Sequence, residues 1–335
     1  MFNFKRFSAI FKSRNLEFWR DRSALSWNLI FPLLLIIGMA VVFDRGQPVE
    51  LKVGLLNTEQ APAFTSTIKY TEFVHYNSFE AAMSKVTHHQ IDMLIDVENQ
   101  EYYVNSESSK GYLAKSVLSS AIKQYQEQAV EGKAVRYVDW VVPGILGMNI
   151  MFSSLFGVGY VIVRYRKNGV LKRISTTPIT ALEFVGAQLV SRLMIVVLIS
   201  ASVFLATWFT IDFLVLGNLF LLLLILLLGT MSLISLGLLV ASRLQSEELT
   251  GGLLNMASWP MMLLSGVWFS LEGAPVWVQQ FAQLLPLTHL VEAARSVMID
   301  GAVLADVSHH LFALSLMSVL FLTLGAKLFS WGNSR

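Results

Sequence analysis

The residues of this sequence that could take part in chemistry are cations at the edges of apolar segments. The largest group lies in Arg164–Pro178 (RYRKNGVLKRISTTP), which contains no acidic residue. Its five cations are Arg164, Arg166, Lys167, Lys172 and Arg173. Apolar segments flank the stretch on both sides. Short cationic loops remain on the cytoplasmic side of a membrane, so the sequence predicts that this stretch is cytoplasmic.

The same stretch has the pattern of a short amphipathic helix. Four apolar residues fall on one helical face, with the cations elsewhere: Val163, Val170, Leu171 and Ile174. Such a helix would lie under the membrane and present its charged side to a partner in the cytosol. The alternative is a plain loop whose charge only sets the topology.

Motifs for catalysis and for nucleotide binding are absent from the sequence. The only Gly-Lys pair, Gly132–Lys133, is followed by Ala134, so no G-x-x-x-x-G-K-[ST] loop occurs. Neither H-E-x-x-H nor G-x-S-x-G is present, and there is no cysteine to form a disulfide, a thiolate metal site or a nucleophile. The neighbours His88 and His89 cannot face the same way on a helix or strand, which disfavours a metal site there.

The composition indicates a membrane protein. Of the 335 residues, 54% are hydrophobic and 14% charged, and the mean hydropathy is +0.57. Soluble chains contain about a quarter charged residues. The net charge of +2 does not indicate a nucleic-acid partner, because the cations are concentrated at membrane edges. No cleavable signal peptide is expected, since the first apolar run begins only near Ser23.

The apolar segments that lie between these cationic stretches predict an α-helical integral membrane protein with six transmembrane helices. The predicted spans are about 23–43, 138–163, 193–209, 219–242, 249–269 and 311–331. Both termini are predicted to be cytoplasmic, because the inner loops and termini hold most of the cations. Arg192, at the inner edge of the third span, is expected to snorkel to the headgroups, with a buried ion pair as the alternative.

Two segments at the start of the chain are predicted to lie outside the bundle. Residues 1–22 carry Phe4, Phe7, Phe11 and Phe18 at helical spacing among six cations, which predicts an amphipathic interfacial helix. Residues 44–137 are polar and alternate strand-like and helix-like patterns, which predicts a small extracytoplasmic α/β domain between the first two spans. Its predicted elements are strands at 50–57, 91–97 and 101–105, a helix at 79–86 capped by Ser78, and a long helix at 108–131.

The remaining residues, 138–335, hold spans two to six and one further outer segment. Residues 271–307 are too polar to cross a membrane as one helix. Pro275 and Pro286 are each predicted to open a short helix. Together these helices predict a re-entrant hairpin at about 273–300, provided that protein covers its backbone ends.

Read together, these features resemble the membrane subunit of an ABC-2 type transporter of the long extracytoplasmic-loop subgroup, over essentially the whole chain. One matching pattern is G-x-L-x-R-x-x-x-T-P, formed by Gly169, Leu171, Arg173, Thr177 and Pro178. A second is L-P-L followed by arginine after seven residues, formed by Pro286, Leu287 and Arg295, with Leu290 between them. Glu17, Arg20 and Asp21 precede a first span that contains Pro32, as in the family.

One departure concerns the residues just ahead of Gly169. Many members of the family carry glutamates there, whereas this chain has Arg166, Lys167 and Asn168. In this respect the chain looks more like the drug- and lipid-exporting relatives.

The resemblance implies a permease that dimerises, with an identical copy or a paralogue, and binds two copies of a separate ABC ATPase. The implied ATPase-coupling residues lie in the coupling helix 164–178 and at the first span: Glu17, Arg20, Asp21, Arg164, Arg166, Lys167, Gly169, Leu171, Arg173 and Pro178. The implied outer gate is formed by Pro286, His289, Glu292 and Arg295. The chain itself would be no enzyme and would bind no cofactor or metal, since ATP and Mg would bind to the partner ATPase. Its other contacts would be membrane lipids, with no nucleic acid.

The function expected from the resemblance is export of a hydrophobic or amphipathic substrate, drug-like or lipid-like, across a bacterial cytoplasmic (inner) membrane. The competing hypothesis is a membrane anchor or sensor that does not transport and whose extracytoplasmic domain binds a ligand or an envelope partner. A secondary carrier is disfavoured, because the span interiors contain almost no charged residues for ion coupling.

Overall fold

The computed structural model describes residues 2–43, 51–56, 65, 68, 71–105, 107–118, 125–130, 135–271 and 274–331. The chain forms two compact units. The helical unit comprises Met1–Ala40 and Val141–Arg335, and the α/β unit comprises Val41–Trp140. The predicted α/β segment 44–137 falls within the second unit, although its first residues, 44–50, lie outside the described part of the chain.

The described elements follow the chain in a simple order. They are α1 (Phe4–Arg20), α2 (Arg22–Phe43), β1 (Leu51–Leu56), β2 (Thr71–Tyr76), α3 (Phe79–Thr87), β3 (Met93–Asp96), β4 (Glu101–Asn105), α4 (Ser109–Leu118), β5 (Gln126–Val130), α5 (Tyr137–Lys167), α6 (Val170–Ser175), α7 (Ala181–Ile211), α8 (Leu219–Ala241), α9 (Glu247–Leu264), α10 (Val276–Ala282), α11 (Pro286–Ile299) and α12 (Ser308–Leu328).

Among the described residues, five helices are long and apolar enough to cross a membrane, as in an integral membrane protein. They are Arg22–Val41, Tyr137–Lys167, Ala181–Ile211, Leu219–Ala241 and Ser308–Leu328. The predicted fifth span, 249–269, corresponds to α9, which is shorter than predicted and begins with Glu247 and Glu248. The count of six spans therefore stays a prediction.

Polar caps set the starts of several helices. Thr180 caps α7, and Glu183 completes a capping box by accepting from the Thr180 backbone. Asn3 caps α1 by accepting from Lys5 N, and Asn218 caps α8 in the same way. These caps satisfy backbone N–H groups that would otherwise lack a partner at the helix ends.

Small residues in α5 permit close helix packing. A Cβ at Gly144 would lie 2.5 Å from the Val267 carbonyl oxygen, and one at Gly147 would lie 2.7 Å from the Val291 side chain. Any larger residue at either position would force the neighbouring segments apart.

The predicted snorkelling of Arg192 is wrong, because the side chain is buried and points into the helical unit. Its guanidinium donates to the Ser153 carbonyl oxygen, 2.8 Å from Nε, and lies 5.5 Å from the Phe18 ring. The described contacts of Arg192 include no carboxylate, so the predicted alternative of a buried ion pair is not seen among them.

The α/β unit contains a five-stranded sheet with the order β2-β1-β3-β4-β5. All pairs are parallel except β3 with β4, which is antiparallel. The predicted long helix 108–131 is wrong: α4 ends at Leu118, and Gln126–Val130 forms β5, paired with β4 from Glu101 onwards. Pairing with an existing strand outweighs the weak helical preference of this segment.

Candidate functional site

The cationic stretch 164–178 consists of two helices rather than one. α5 continues to Lys167, so Arg164, Arg166 and Lys167 belong to its last turn. Gly169 then adopts the left-handed conformation, with φ of 69°, and α6 begins at Val170. A residue without a Cβ adopts this conformation without strain, which explains a glycine at this position.

The apolar face of α6 is fixed in the helical unit. Leu171 is fully buried and packs with Ile162, Phe184 and Leu238, and Ile174 is partly buried against the same cluster. The predicted amphipathic pattern of α6 is therefore present, with its apolar side turned inward. Leu171, an expected coupling residue, anchors α6 and is not exposed to a partner.

The charged face of α6 is open to solvent. Lys172 and Arg173 are exposed, and Arg173 Nη2 is 3.4 Å from the Asn168 carbonyl oxygen. Pro178 is also exposed. These positions can contact another protein without any rearrangement of the helical unit.

Arg166 is one of the expected coupling residues, but it does not lie on the surface of the helical unit. Its side chain is buried and donates to four carbonyl oxygens at the ends of α8 and α12: Ala241 (3.0 Å), Ser242 (2.8 Å), Ser330 (3.0 Å) and Leu244. A cation at a helix C-terminus stabilises the carbonyl groups that lack intrahelical partners. Arg166 therefore holds this end of the bundle together and offers no free charge to a partner.

Helix α1 is bound to both sides of the cationic stretch. At its start, Asn3 N donates to Glu183 Oε1 at 2.6 Å, and the Arg6 guanidinium donates to the Pro178 carbonyl oxygen. Near its end, Glu17 accepts from the Tyr165 hydroxyl and pairs with Arg14 at 2.9 Å. The helix predicted to be an amphipathic interfacial helix thus packs along α5 and α7.

Three further expected coupling residues lie at the junction of α1 and α2. Glu17, Arg20 and Asp21 line an open cleft of about 600 Å³ together with Ser13 and Leu16. Asp21 ends α1 and accepts from Ala24 N at 3.0 Å, which starts α2. Arg20 and Asp21 are exposed, and the Glu17 side chain is 43% exposed.

Lys167 and Arg164 complete the charged surface around α6. Both are exposed, and Lys167 Nζ is 3.5 Å from Glu247 Oε1 at the start of α9. We call the exposed residues Arg164, Lys167, Lys172 and Arg173 the cationic surface. Most of the expected coupling residues therefore lie at one end of the helical unit. Arg166 and Leu171 are buried and are not part of the cationic surface.

The second predicted site, the outer gate, is formed by the short helices α10 and α11. Pro275 caps α10 and Pro286 is the first residue of α11, as predicted. The first residue of the predicted hairpin, Gly273, lies outside the described residues. Arg295 Nη2 donates to the Gly266 carbonyl oxygen at 2.7 Å, so it holds the turn that follows α9.

The other residues of this site form contacts that the sequence did not indicate. His289 is buried, and its Nδ1 is 2.9 Å from Nδ1 of His310 in α12. Its Nε2 is 2.9 Å from the Gln283 carbonyl oxygen. Glu292 Oε2 accepts from Gln283 Nε2 at 3.2 Å and lies 4.0 Å from His310 Nε2. Glu292 and Arg295, both members of the implied outer gate, therefore contact different neighbours.

His310 is a site residue that sequence reasoning missed. The pair His309–His310 at the start of α12 was the only visible signal, and nothing in the sequence indicated which residue it would meet. In the described part of the chain, no three His, Asp or Glu side chains are arranged to hold a metal ion.

Comparison with known protein families matches residues 5–299 to "ABC-2 type transporter". The chain is 26% identical over 226 residues to "Probable multidrug ABC transporter permease YbhR" of Escherichia coli (strain K12), which covers 62% of this chain and 61% of that protein. It is 22% identical over 343 residues to "ABC transporter G family member 20" of Dictyostelium discoideum, covering 88% of this chain and 46% of that protein. "Inner membrane transport permease YhhJ" of Escherichia coli (strain K12) is 26% identical over 155 residues, covering 46% of this chain and 41% of that protein. The chain thus spans less than two thirds of the length of each of these relatives.

Proposed function

The chain belongs to the ABC-2 type transporter family, and from this premise we propose that it is the transmembrane permease subunit of an ABC exporter, driven by a separate ATPase. The family match spans nearly the whole chain, and relatives carry the names of transport permeases. The sequence has no phosphate-binding loop with which the chain could hydrolyse ATP itself.

The observation that carries the proposal is the way in which α6 is held. Its buried Leu171 fixes one side to the bundle, while Lys172 and Arg173 are exposed on the other. A helix that transmits force from a second protein needs this combination of a fixed inner side and a free outer side. We assign the partner on the free side as the ABC ATPase.

In this proposal the chain crosses a bacterial cytoplasmic membrane six times with both termini in the cytosol. The five apolar helices supply five crossings, and α9 supplies the sixth. Several large apolar side chains of α9 are exposed on the helical unit, as a membrane-facing helix requires: Leu249, Leu253, Met256, Trp259 and Leu263. The α/β unit is then extracytoplasmic, and the hairpin α10–α11 lies at the outer end of the bundle.

The proposed assembly contains two ABC ATPase subunits and a second permease, either identical or paralogous. ATP and Mg are bound by the ATPases, and this chain binds no cofactor of its own. The substrate is proposed to be hydrophobic or amphipathic, drug-like or lipid-like. The printed name of one relative, a probable multidrug permease, supports this class.

Co-purification tests the proposal directly. The tagged full chain, expressed at its native level, is solubilised in detergent with a non-hydrolysable ATP analogue and its partners are identified by mass spectrometry. We expect an ABC ATPase subunit in amounts close to those of the permease. A folded, monodisperse permease that brings down no ATPase would favour the anchor or sensor and overturn the proposal.

A further inference from the structure

Four residues form a closed ring of polar contacts that joins α10, α11 and α12. The Gln283 carbonyl oxygen, at the end of α10, contacts His289 Nε2, and His289 Nδ1 contacts His310 Nδ1, both at 2.9 Å. His310 Nε2 faces Glu292 Oε2 at 4.0 Å, and Gln283 Nε2 donates to the same oxygen at 3.2 Å. We call these residues the histidine ring. His289 and His310 are buried, and Glu292 is 35% exposed.

The hydrogen-bonding roles around this ring can be counted. A carbonyl oxygen only accepts, so His289 Nε2 must carry a hydrogen. If His289 is neutral, its Nδ1 accepts and His310 Nδ1 must donate. A neutral His310 then presents a bare Nε2 to the carboxylate of Glu292, and two acceptors face each other. The contact between His310 Nε2 and Glu292 becomes attractive only when the ring holds one additional proton.

The additional proton can occupy either imidazole. In both cases His289 Nε2 still faces the Gln283 carbonyl oxygen and His310 Nε2 still faces Glu292. With the proton on His310, its Nε2–H points to Glu292 and its Nδ1–H to His289. With the proton on His289, both His289 nitrogens donate, and His310 accepts at Nδ1 and directs its Nε2–H towards Glu292. In both arrangements the imidazolium and the carboxylate of Glu292 cancel in charge. Burial by itself disfavours an imidazolium, so the attraction of the ionised Glu292 is what favours the proton-bound ring.

Few other charges face the ring from the elements around it. His309 lies beside His310, with ring centroids 3.9 Å apart, and is exposed. Arg295, on α11, is bound to the Gly266 carbonyl oxygen. α8 packs against both α11 and α12 and contains no charged residue, and the described residues of α10 are neutral. The charged residues of α9 are in its first turn, and Asp300 and Asp306 lie in the connection from α11 to α12.

We propose that the histidine ring is a binding site for one proton, and that this proton holds the α10–α11 hairpin closed against α12. Loss of the proton leaves the His310 lone pair against an ionised Glu292, which replaces an attractive contact between α11 and α12 by a repulsive one. The hairpin is then released at neutral to alkaline pH and held at acidic pH. The inference does not depend on which partner drives the protein.

The absence of cysteine makes the opening of the hairpin measurable. Ala282, in α10, is 1% exposed and becomes accessible only when the hairpin leaves the bundle, whereas Val276 on the same helix is 67% exposed. In the purified full chain in detergent, we would measure maleimide labelling of Ala282→Cys relative to Val276→Cys between pH 5 and 8. The ratio removes the pH dependence of the thiol itself. We expect it to rise with pH by up to about tenfold per unit, the limit for one linked proton.

Glu292→Gln separates the proposal from a general loss of structure. A glutamine carries no charge to attract the proton, and its amide can direct an N–H to the neutral His310 Nε2 once the Gln283 amide turns its oxygen towards it, so the labelling ratio should be low at every pH. His310→Gln should abolish the titration, and His309→Gln, the matched control on the exposed neighbour, should leave it intact. A ratio that does not change with pH in the parent chain, or a titration that persists in Glu292→Gln, would overturn the proposal. Loss of the titration in His309→Gln would also overturn it.

Discussion

The guanidinium of Arg192 on α7 lies directly against the backbone of Gly157 on α5. A Cβ at Gly157 would be 2.0 Å from Arg192 Cζ, a distance that no pair of such atoms can adopt. The same cation donates to the Ser153 carbonyl oxygen and lies 5.5 Å from the Phe18 ring of α1. Arg14 of α1 also reaches this place, with Nη2 at 3.3 Å from the Gly157 carbonyl oxygen. Arg192 therefore joins α1, α5 and α7 inside the helical unit.

Gly157→Ala should displace Arg192 from its carbonyl partner and leave a buried charge without its hydrogen bonds. We expect the free energy of unfolding to fall by about 2–4 kcal/mol, the range for an unsatisfied buried charged group. Thermal unfolding in detergent measures the change. Gly252→Ala is the matched control, because nothing lies within 4 Å of a Cβ at that position.

A double-mutant cycle tests whether Arg192 is the cause of this loss. Arg192→Met removes the cation, so Gly157→Ala should cost much less in that background than in the parent. Equal costs in the two backgrounds would show that the methyl group acts through another contact.

Arg166→Ala should lower the stability of the helical unit, because Arg166 is buried and offers no contact to the ATPase. Its guanidinium donates to the carbonyl oxygens of Ala241, Ser242, Leu244 and Ser330, all of which would lose a charged partner. We expect a loss of about 2–4 kcal/mol in the free energy of unfolding. Lys167→Ala, on the neighbouring exposed residue, should change it by less than about 1 kcal/mol. Similar unfolding temperatures for the two variants would contradict the structural role of Arg166.

Arg173→Asp should uncouple ATP hydrolysis from transport while the permease stays folded. The side chain is exposed on α6, so reversing its charge changes the surface offered to the ATPase and little else. We expect loss of transport-linked ATPase activity in proteoliposomes, with normal insertion and an unchanged unfolding temperature. Lys327→Asp, an exposed charge reversal at the end of α12, is the control. Normal coupling in Arg173→Asp would remove α6 from the docking surface.

Leu171→Ala tests the other side of the same helix. Leu171 is fully buried, so its truncation should cost about 2–5 kcal/mol of stability, as for other leucines in well-packed cores. Coupling should fall in proportion to the loss of folded protein. A stable variant with abolished coupling would instead indicate a direct contact of Leu171 with the partner.

Arg295→Ala and Glu292→Ala should alter transport without weakening ATPase binding. Arg295 holds the Gly266 carbonyl oxygen, and Glu292 belongs to the histidine ring, so each variant loosens the proposed outer end. Transport assays and ATPase co-purification measure the two effects separately. Gln280→Ala, on the exposed side of α10, serves as the control. Normal transport in both variants would show that these residues form only surface contacts, each contributing a few tenths of a kcal/mol to stability.

Local patterns in the sequence were sufficient to predict much of the helical unit. Hydrophobic length located the five apolar helices, and the Thr180–Glu183 box and the prolines Pro275 and Pro286 marked the starts of α7, α10 and α11. The family resemblance rested on motifs within single segments, and the match over residues 5–299 confirmed it. Each of these signals depends on residues that are neighbours in the chain or one helical turn apart.

The tertiary structure alone decided which charged and apolar residues of those segments are exposed. Arg166, Leu171 and Arg192 carried the expected residue types, but their burial follows from α8, α12, α1 and α5 packing over them. His289 met His310, 21 positions away, and β5 formed because β4 offered it a partner. Hydropathy and periodicity depend on local spacing, whereas burial and pairing depend on segments distant in sequence, so no local pattern could have assigned these roles.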